Sequence, residues 1–322
     1  MYTGGGHVAR IVMAAAAKNL TPVTLELGGS CPAYVDESAN IKVTARRLVY
    51  TKNINSGQVC IAPNHAIVHE KVRDSLVEHM KSEYARLFPG EQQKNVDKAR
   101  IINDHHFQRV SAMLEGHGGQ VAFGGKLVEE EKHIDFTIVL DPSPDSALMQ
   151  GEIFGPILPI VTVKSIEEAI ALCGNGRPTP LASYVFTRNE AMRKKWLAEV
   201  ESGGACVNDC MYHITNRNGG LSGKGESGMG TTRGHSAFKT FSHRKVVGIQ
   251  PPNFDPLVKY PPFPTDNSIQ PMIKAIVLGE FPAWIKLFFW GVVGAAAAGV
   301  AFFLSKHVSV SVEANTLSVS IH

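Results

Sequence analysis

Along residues 1–250 the apolar positions switch between two periods. Spacing of three or four runs over 7–20, 41–52, 72–87, 166–173 and 190–199 and predicts helices. Short apolar runs cover 22–27, 33–35, 65–69, 120–123, 136–140, 158–163 and 181–186 and predict strands. A further helix starts at Asp104, with the aspartate as its cap and His105 and His106 on its surface, and is spent within 111–119. Residues 245–250 read as one more strand. Strands and helices alternate across short connections, the pattern of an α/β sheet domain.

The pattern changes after residue 250. Residues 251–271 are rich in proline and polar side chains and read as a linker. The run 287–304 carries no charge, and as a helix it spans about 27 Å, close to a bilayer's hydrocarbon thickness. Trp284 and Trp290 suit the interface, and Lys286 and Lys306 bracket the run, so a transmembrane helix is expected there. At the other end, 11–17 is too short and too alanine-rich for a signal peptide, and Arg10 interrupts the stretch before it.

Composition narrows the function classes. The 322 residues are 44% hydrophobic, enough to bury a large core, and a net charge of +3 without any long basic run argues against nucleic-acid binding. The five cysteines, Cys31, Cys60, Cys173, Cys206 and Cys210, are odd in number and lack a Cys-x-x-Cys pair. That fits a reducing compartment. Cys206 and Cys210 have only His213 nearby and no second ligand pair, so no metal site is expected. Gly223-Lys224-Gly225 fails as a phosphate-binding P-loop, because Asn218 stands where its first glycine is required and Gly225 where Ser or Thr should follow the lysine.

Candidate chemistry sits on two stretches. Asn55-Ser56-Gly57-Gln58-Val59-Cys60-Ile61-Ala62-Pro63 places a cysteine behind a small polar turn, where a thiol can face a cleft. The residues alone leave Cys60 divided between a nucleophile and a buried small hydrophobe. In Thr24-Leu25-Glu26-Leu27-Gly28-Gly29 a carboxylate interrupts an apolar strand; Glu26 is either an edge residue pointing to water or a buried base of raised pKa. Two weaker signals accompany them. Gly4-Gly5-Gly6 opens a helix, a place where free N–H groups favour phosphate. Glu152 and Phe154 lie in a Gly/Pro-bounded loop, a pair able to meet a sugar hydroxyl and a ribose face.

Together these motifs resemble the aldehyde dehydrogenase superfamily. The carriers are Leu25-Glu26-Leu27-Gly28-Gly29, Gly57-Gln58-Val59-Cys60, Gly151-Glu152-Ile153-Phe154-Gly155-Pro156, Cys206-Val207-Asn208-Asp209, Ser227-Gly228-Met229-Gly230 and Thr240-Phe241-Ser242-His243. Ile61-Ala62-Pro63 points to the class 3, fatty-aldehyde branch, and the likeness runs from about Tyr2 to about Val247. The resemblance implies Cys60 as nucleophile, Glu26 as the base that activates water, and Gly4, Gly5, Val8, Glu152 and Phe154 as contacts to NAD or NADP. It implies oxidation of a long-chain aldehyde through a thiohemiacetal and a thioester, with the Cys60 backbone N–H helping to hold the oxyanion. A homodimer is also implied.

The expected domain plan is a remnant of the dinucleotide-binding domain (1–26), a catalytic α/β domain (27–215) and a glycine-rich segment with an oligomerisation strand (216–250). A linker (251–286), the transmembrane helix (287–304) and a tail (305–322) complete it. The chain thus resembles the C-terminal portion of such an enzyme, anchored in the endoplasmic reticulum or mitochondrial outer membrane with its catalytic part in the cytosol. Two departures from the family pattern stand out. Gly5 and Gly6 replace Ser and Thr, and Gly220-Leu221-Ser222-Gly223-Lys224-Gly225 replaces Pro-Phe-Gly-Gly-Val-Gly. A cofactor-independent thiol esterase and an inactive membrane-anchored remnant are the competing readings.

Overall fold

The computed structural model describes residues 1–250 except 175 and 217, isolated positions between 252 and 290, and the backbone of two strands near the C-terminus. The chain divides into two units, Met1–Arg244 and Lys245–His322.

The first unit begins with β1 (Tyr2–Thr3), α1 (Gly6–Ala17) and β2 (Leu25–Glu26). There follow β3 (Pro32–Val35), α2 (Ile41–Asn53), β4 (His65–His69), α3 (Glu70–Leu87) and α4 (Asp104–Ala112). The middle of the unit holds β5 (Gln120–Phe123), β6 (Leu127–Val128), β7 (His133–Ile134), β8 (Thr137–Leu140), α5 (Ala147–Gln150), β9 (Ile157–Val163) and α6 (Ile166–Cys173). Next come β10 (Ala182–Phe186), α7 (Glu190–Glu199), β11 (Gly204–Val207), β12 (Gly228–Met229) and α8 (Gly234–Thr240).

Seven strands form the main sheet in the order β11-β10-β3-β4-β9-β8-β5. Its ladders are parallel except for β5 on β8. A strand offers alternate residues to opposite faces, and this sheet buries both. Ala33 and Val35, Ala66 and Val68, and Tyr184 and Phe186 pack with α2 and α3 on one side. Tyr34, Ile67 and Val185 pack with α6 and α7 on the other. The central strands are therefore apolar on both faces, which is why they read as continuous apolar runs. A separate three-stranded sheet, β1-β2-β12, carries α1 over a small core of Ala9, Leu25 and Leu27.

Several element boundaries shift for local reasons. The first helix stops at Ala17 rather than 20, because Leu20 adopts a positive φ of 52° and Thr21 N–H turns back to Ala16 O ahead of Pro22. The 22–27 strand contracts to Leu25–Glu26. The cap of α4 is Asn103, whose Oδ1 accepts from His106 N–H at 2.9 Å; Asp104 is already helical. Its carboxylate instead pairs with Lys132 at 3.2 Å.

In the second unit, residues 245–250 form no ladder among the described residues. A strand needs a neighbour's backbone, and Val246 and Ile249 stand exposed. The tail contains an antiparallel pair, β13 (Val308–Glu313) and β14 (Thr316–Ile321), registered from Val308 opposite Ile321 to Glu313 opposite Thr316. The 287–304 run falls outside the described residues apart from Trp290; among the described residues no helix is long and apolar enough to cross a membrane.

Trp196 of α7 is fully buried and stacks on Tyr34 of β3, centroids 5.4 Å apart. Trp196→Ala is expected to destabilise the first unit by about 3–5 kcal/mol, read as a fall in the denaturant midpoint at constant slope.

Candidate active site

The functional loops gather at the amino ends of the parallel strands. Cys31 directly precedes β3, Cys60 to Asn64 lead into β4, Glu152 to Pro156 lead into β9, and Leu181 precedes β10. The opposite, carboxyl edge is where open α/β sheets ordinarily bind ligands.

The cysteine loop is set by its backbone. After α2, Asn55, Ser56 and Gly57 take φ of 48°, 51° and 73°, one left-handed turn. Each non-glycine in that region costs about 1–2 kcal/mol, so surrounding contacts must hold the turn. Gly57 is obligatory for a second reason: a Cβ there would lie 2.2 Å from Gly155 O. The cysteine loop and the Glu152 loop thus meet backbone to backbone. Asn64 ties them again, donating to Gly151 O at 3.1 Å and accepting from Ile153 N–H at 2.8 Å. Arg109 of α4 donates to Glu152 O at 3.3 Å and to Ile153 O at 2.8 Å. Phe154, between them, has a φ of 48° and is half-buried.

Glu26 sits in the central strand of the small sheet, between Thr3 and Gly228, and is 5% exposed. The buried alternative for this residue is the one realised. Its Oε1 accepts from Thr232 Oγ1 at 2.7 Å, while Oε2 is buried with no hydrogen-bond partner among the described residues. Burial raises its pKa, against the opposing pull of Thr232 and Arg233. Burial also raises the Cys60 thiol, and the carboxylates of Glu152 and Glu26 push it further. Both carboxylates are therefore within electrostatic reach of the half-buried sulfur. Cys31, wholly buried, donates its thiol to Cys60 O at 3.5 Å.

Glu152 has a raised pKa of about 7, chiefly from burial, with Arg109 and Lys52 opposing. Its carboxylate lies against Gly28, where a Cβ would come within 2.1 Å of Oε2. Lys52, buried one turn before the cysteine loop, is pushed down to about 7 by burial, with Glu152 resisting. Lys52, Asn64 and Arg109 were not singled out from the sequence; a lysine on the apolar face of α2 is the one signal that could have been read.

A cleft of about 320 Å³ is bordered by Gly5, Gly6, Gly28, Glu152 and Glu226, while Cys60, Glu26 and Phe154 do not line it. The N-cap of α1 is Gly5 with no side-chain cap, so the first N–H groups of this helix are not met by a side chain there. No side chain or backbone atom lies within 4 Å of where a Gly5 Cβ would be. An anionic group fits this end of the cleft, with Glu152 at the other. Gly4 and Val8 do not border it: Gly4 faces the Tyr2 ring, and Val8 is 43% exposed. A second, largely apolar pocket of about 510 Å³ opens beside the end of α2, with Tyr50, Ile54, Met211, Tyr212 and Ile214 among its walls. The Arg47–Asp209 pair at 3.5 Å borders it.

The scaffold thus carries a cysteine on a clamped turn, one buried and one half-buried carboxylate, and a cleft at a helix end. The chain belongs to the aldehyde dehydrogenase family, whose sequence pattern matches residues 1–247. It is 46% identical over 245 residues to the dimeric NADP-preferring aldehyde dehydrogenase of Rattus norvegicus, covering 76% of this chain and 53% of the relative. It is 42% identical over 265 residues to aldehyde dehydrogenase family 3 member A2 of the same species, covering 81% and 54%. The chain thus spans about half the length of these relatives. Among solved structures, the substrate-bound state of Staphylococcus aureus AldH superposes with a TM-score of 0.79 at 37% identity, covering 89% of this chain and 59% of that one. The relatives place the chain in the class 3 branch.

Glu152 binds its proton more tightly folded, at about 7, than at its ordinary 4.5. Its contribution to stability is fully present below about pH 4.5 and is lost as pH rises through 7. Lys52 works in a separate window, from about 7 to its ordinary 10.5, where the folded lysine is neutral, the unfolded one still charged, and stability rises with pH. Glu152→Gln should therefore flatten the decline between pH 4.5 and 7 and leave the upper window in place, as followed by urea midpoints across pH.

Proposed function

We propose that the chain forms the catalytic part of an aldehyde dehydrogenase that oxidises aldehydes, long-chain ones in particular, to carboxylic acids with NAD or NADP. The observation that carries this is Glu26: a buried carboxylate with one oxygen fixed by Thr232, the other unpartnered, and Cys60 within its electrostatic reach.

Cys60 rests as a thiol, since burial and two neighbouring carboxylates disfavour the thiolate. Its proton leaves to water as the sulfur adds to the aldehyde carbon, so Glu26 stays ionised for the later hydrolytic step. When bound, the nicotinamide supplies the hydride acceptor that takes this adduct to the thioester level. Gly5 and Gly6 at the head of α1 would hold the cofactor's phosphates, and Glu152 would hold its ribose. Glu26 Oε2 then takes a proton from water, and the resulting hydroxide cleaves the Cys60 thioester to release the acid. Thr232 keeps the carboxyl group turned for this step.

The apolar pocket beside Ile54 supports an extended hydrocarbon substrate, its volume being typical of a small-molecule site. We read the 287–304 run as a membrane anchor that keeps the site near lipid-dissolved aldehydes. A homodimer is the proposed assembly; the rat relative is named as dimeric.

The test is NADH formation from a long-chain aldehyde. The chain is assayed alone and with a polypeptide supplying the half of its relatives' length that it does not span. Cys60→Ala is expected to abolish turnover. Glu26→Gln should lower kcat about 10²–10⁴-fold while a stoichiometric burst of NADH persists, because only thioester hydrolysis is slowed. Full turnover by Cys60→Ala would refute the assignment.

A further inference from the structure

Gln58 stands two residues ahead of Cys60, is 8% exposed, and spends all its side-chain capacity on backbone. Its Nε2 donates to Asn55 O and to Arg100 O, each at 3.0 Å, and its Oε1 accepts from Ile102 N–H at 3.0 Å. Ser56 adds a hydroxyl donated to Ala99 O at 2.6 Å. The left-handed turn is thus stapled to the segment 99–102.

That segment is itself fixed. Ile101 N–H donates to Lys132 O at 3.0 Å, and the Arg100 guanidinium reaches His133 Nδ1 at 3.2 Å and Glu131 at 3.1 Å. His133, fully buried, is held in turn by Asp135 at 2.8 Å. On the far side of the cysteine, Tyr184 of β10 donates its hydroxyl to Ile61 O at 2.5 Å. The sulfur's backbone is gripped from both directions by groups that touch neither cleft nor carboxylates.

We infer that Gln58 is a positioning residue for Cys60: by holding the left-handed turn against Ala99–Ile102 it keeps the sulfur in its half-buried place. This deepens the nucleophile reading and rests on it. Ser56 assists through the same segment. Neither residue meets the substrate.

The clamp predicts a change in Cys60 chemistry rather than in overall folding. Released, the sulfur moves towards water and away from two negative groups, so its thiolate forms at lower pH. The measurement is the rate of carbamidomethylation by iodoacetamide at each cysteine, resolved by peptide mass spectrometry between pH 5 and 9. Cys206, also half-buried, is the internal reference. Gln58→Ala should raise the Cys60 rate at pH 7.5 about tenfold and lower its pH midpoint, with Cys206 unchanged. Gln58→Glu supplies a near-isosteric rescue. When protonated, the introduced carboxyl can donate to one carbonyl and accept from Ile102 N–H. The variant-to-wild-type ratio should be close to one at pH 5 and climb to that of Gln58→Ala as the carboxyl ionises.

A ratio of one at every pH in both variants would overturn the inference. So would equal acceleration at Cys60 and Cys206, which would mean general loosening. Failure of the nucleophile reading shows elsewhere, as turnover that survives Cys60→Ala, and leaves this alkylation readout interpretable.

Discussion

The close approach of Gly57 to the Gly155 carbonyl is the constraint on which the site depends. Only a residue without a side chain lets the two loops touch there, and the touch brings the Glu152 carboxylate within reach of the cysteine. Asn64 and Arg109 then fix the second loop by its backbone, with Glu152 bordering the cleft and Ile153 buried in the core behind it. The left-handed turn that follows α2 is unfavourable by itself. It persists because the surrounding hydrogen bonds leave no other conformation that satisfies as many buried groups.

Charge is managed by the same economy of space. Glu26, Glu152 and Lys52 are taken out of water in a small volume, and each is driven towards its neutral form. A site of this kind holds protons near the pH at which they are exchanged. The sulfur shares that environment, so its ionisation answers to the state of two carboxyl groups rather than to solvent alone.

Much of the scaffold was legible because period and burial agree. His65–His69, Gln120–Phe123, Ile166–Cys173 and Glu190–Glu199 were readable to the residue from their apolar spacing, even though Val121 and Leu197 stay exposed. The burial of Glu26 was not decidable from its neighbours; it follows from β12, some two hundred residues further on, pairing with β2 to close the small sheet. The clamps escaped notice for a related reason. Asn64, Arg109 and Gln58 bond to backbone atoms, and no side-chain pattern in the sequence records where a distant carbonyl will be. The tail shows the reverse failure: the Val-Ser alternation of β13 is plain in the sequence, yet residues 305–322 read there only as a tail.

The bond from Thr232 to Glu26 joins positions near the two ends of the first unit. During synthesis the Cys60 turn is complete long before Glu26 acquires its partner, and until Gly228 emerges β2 is an open edge with a carboxylate on it. The fixed orientation of the Glu26 carboxylate is consequently acquired only once the glycine-rich segment has emerged, so a chain interrupted there would hold the Cys60 thiol with that carboxylate unanchored.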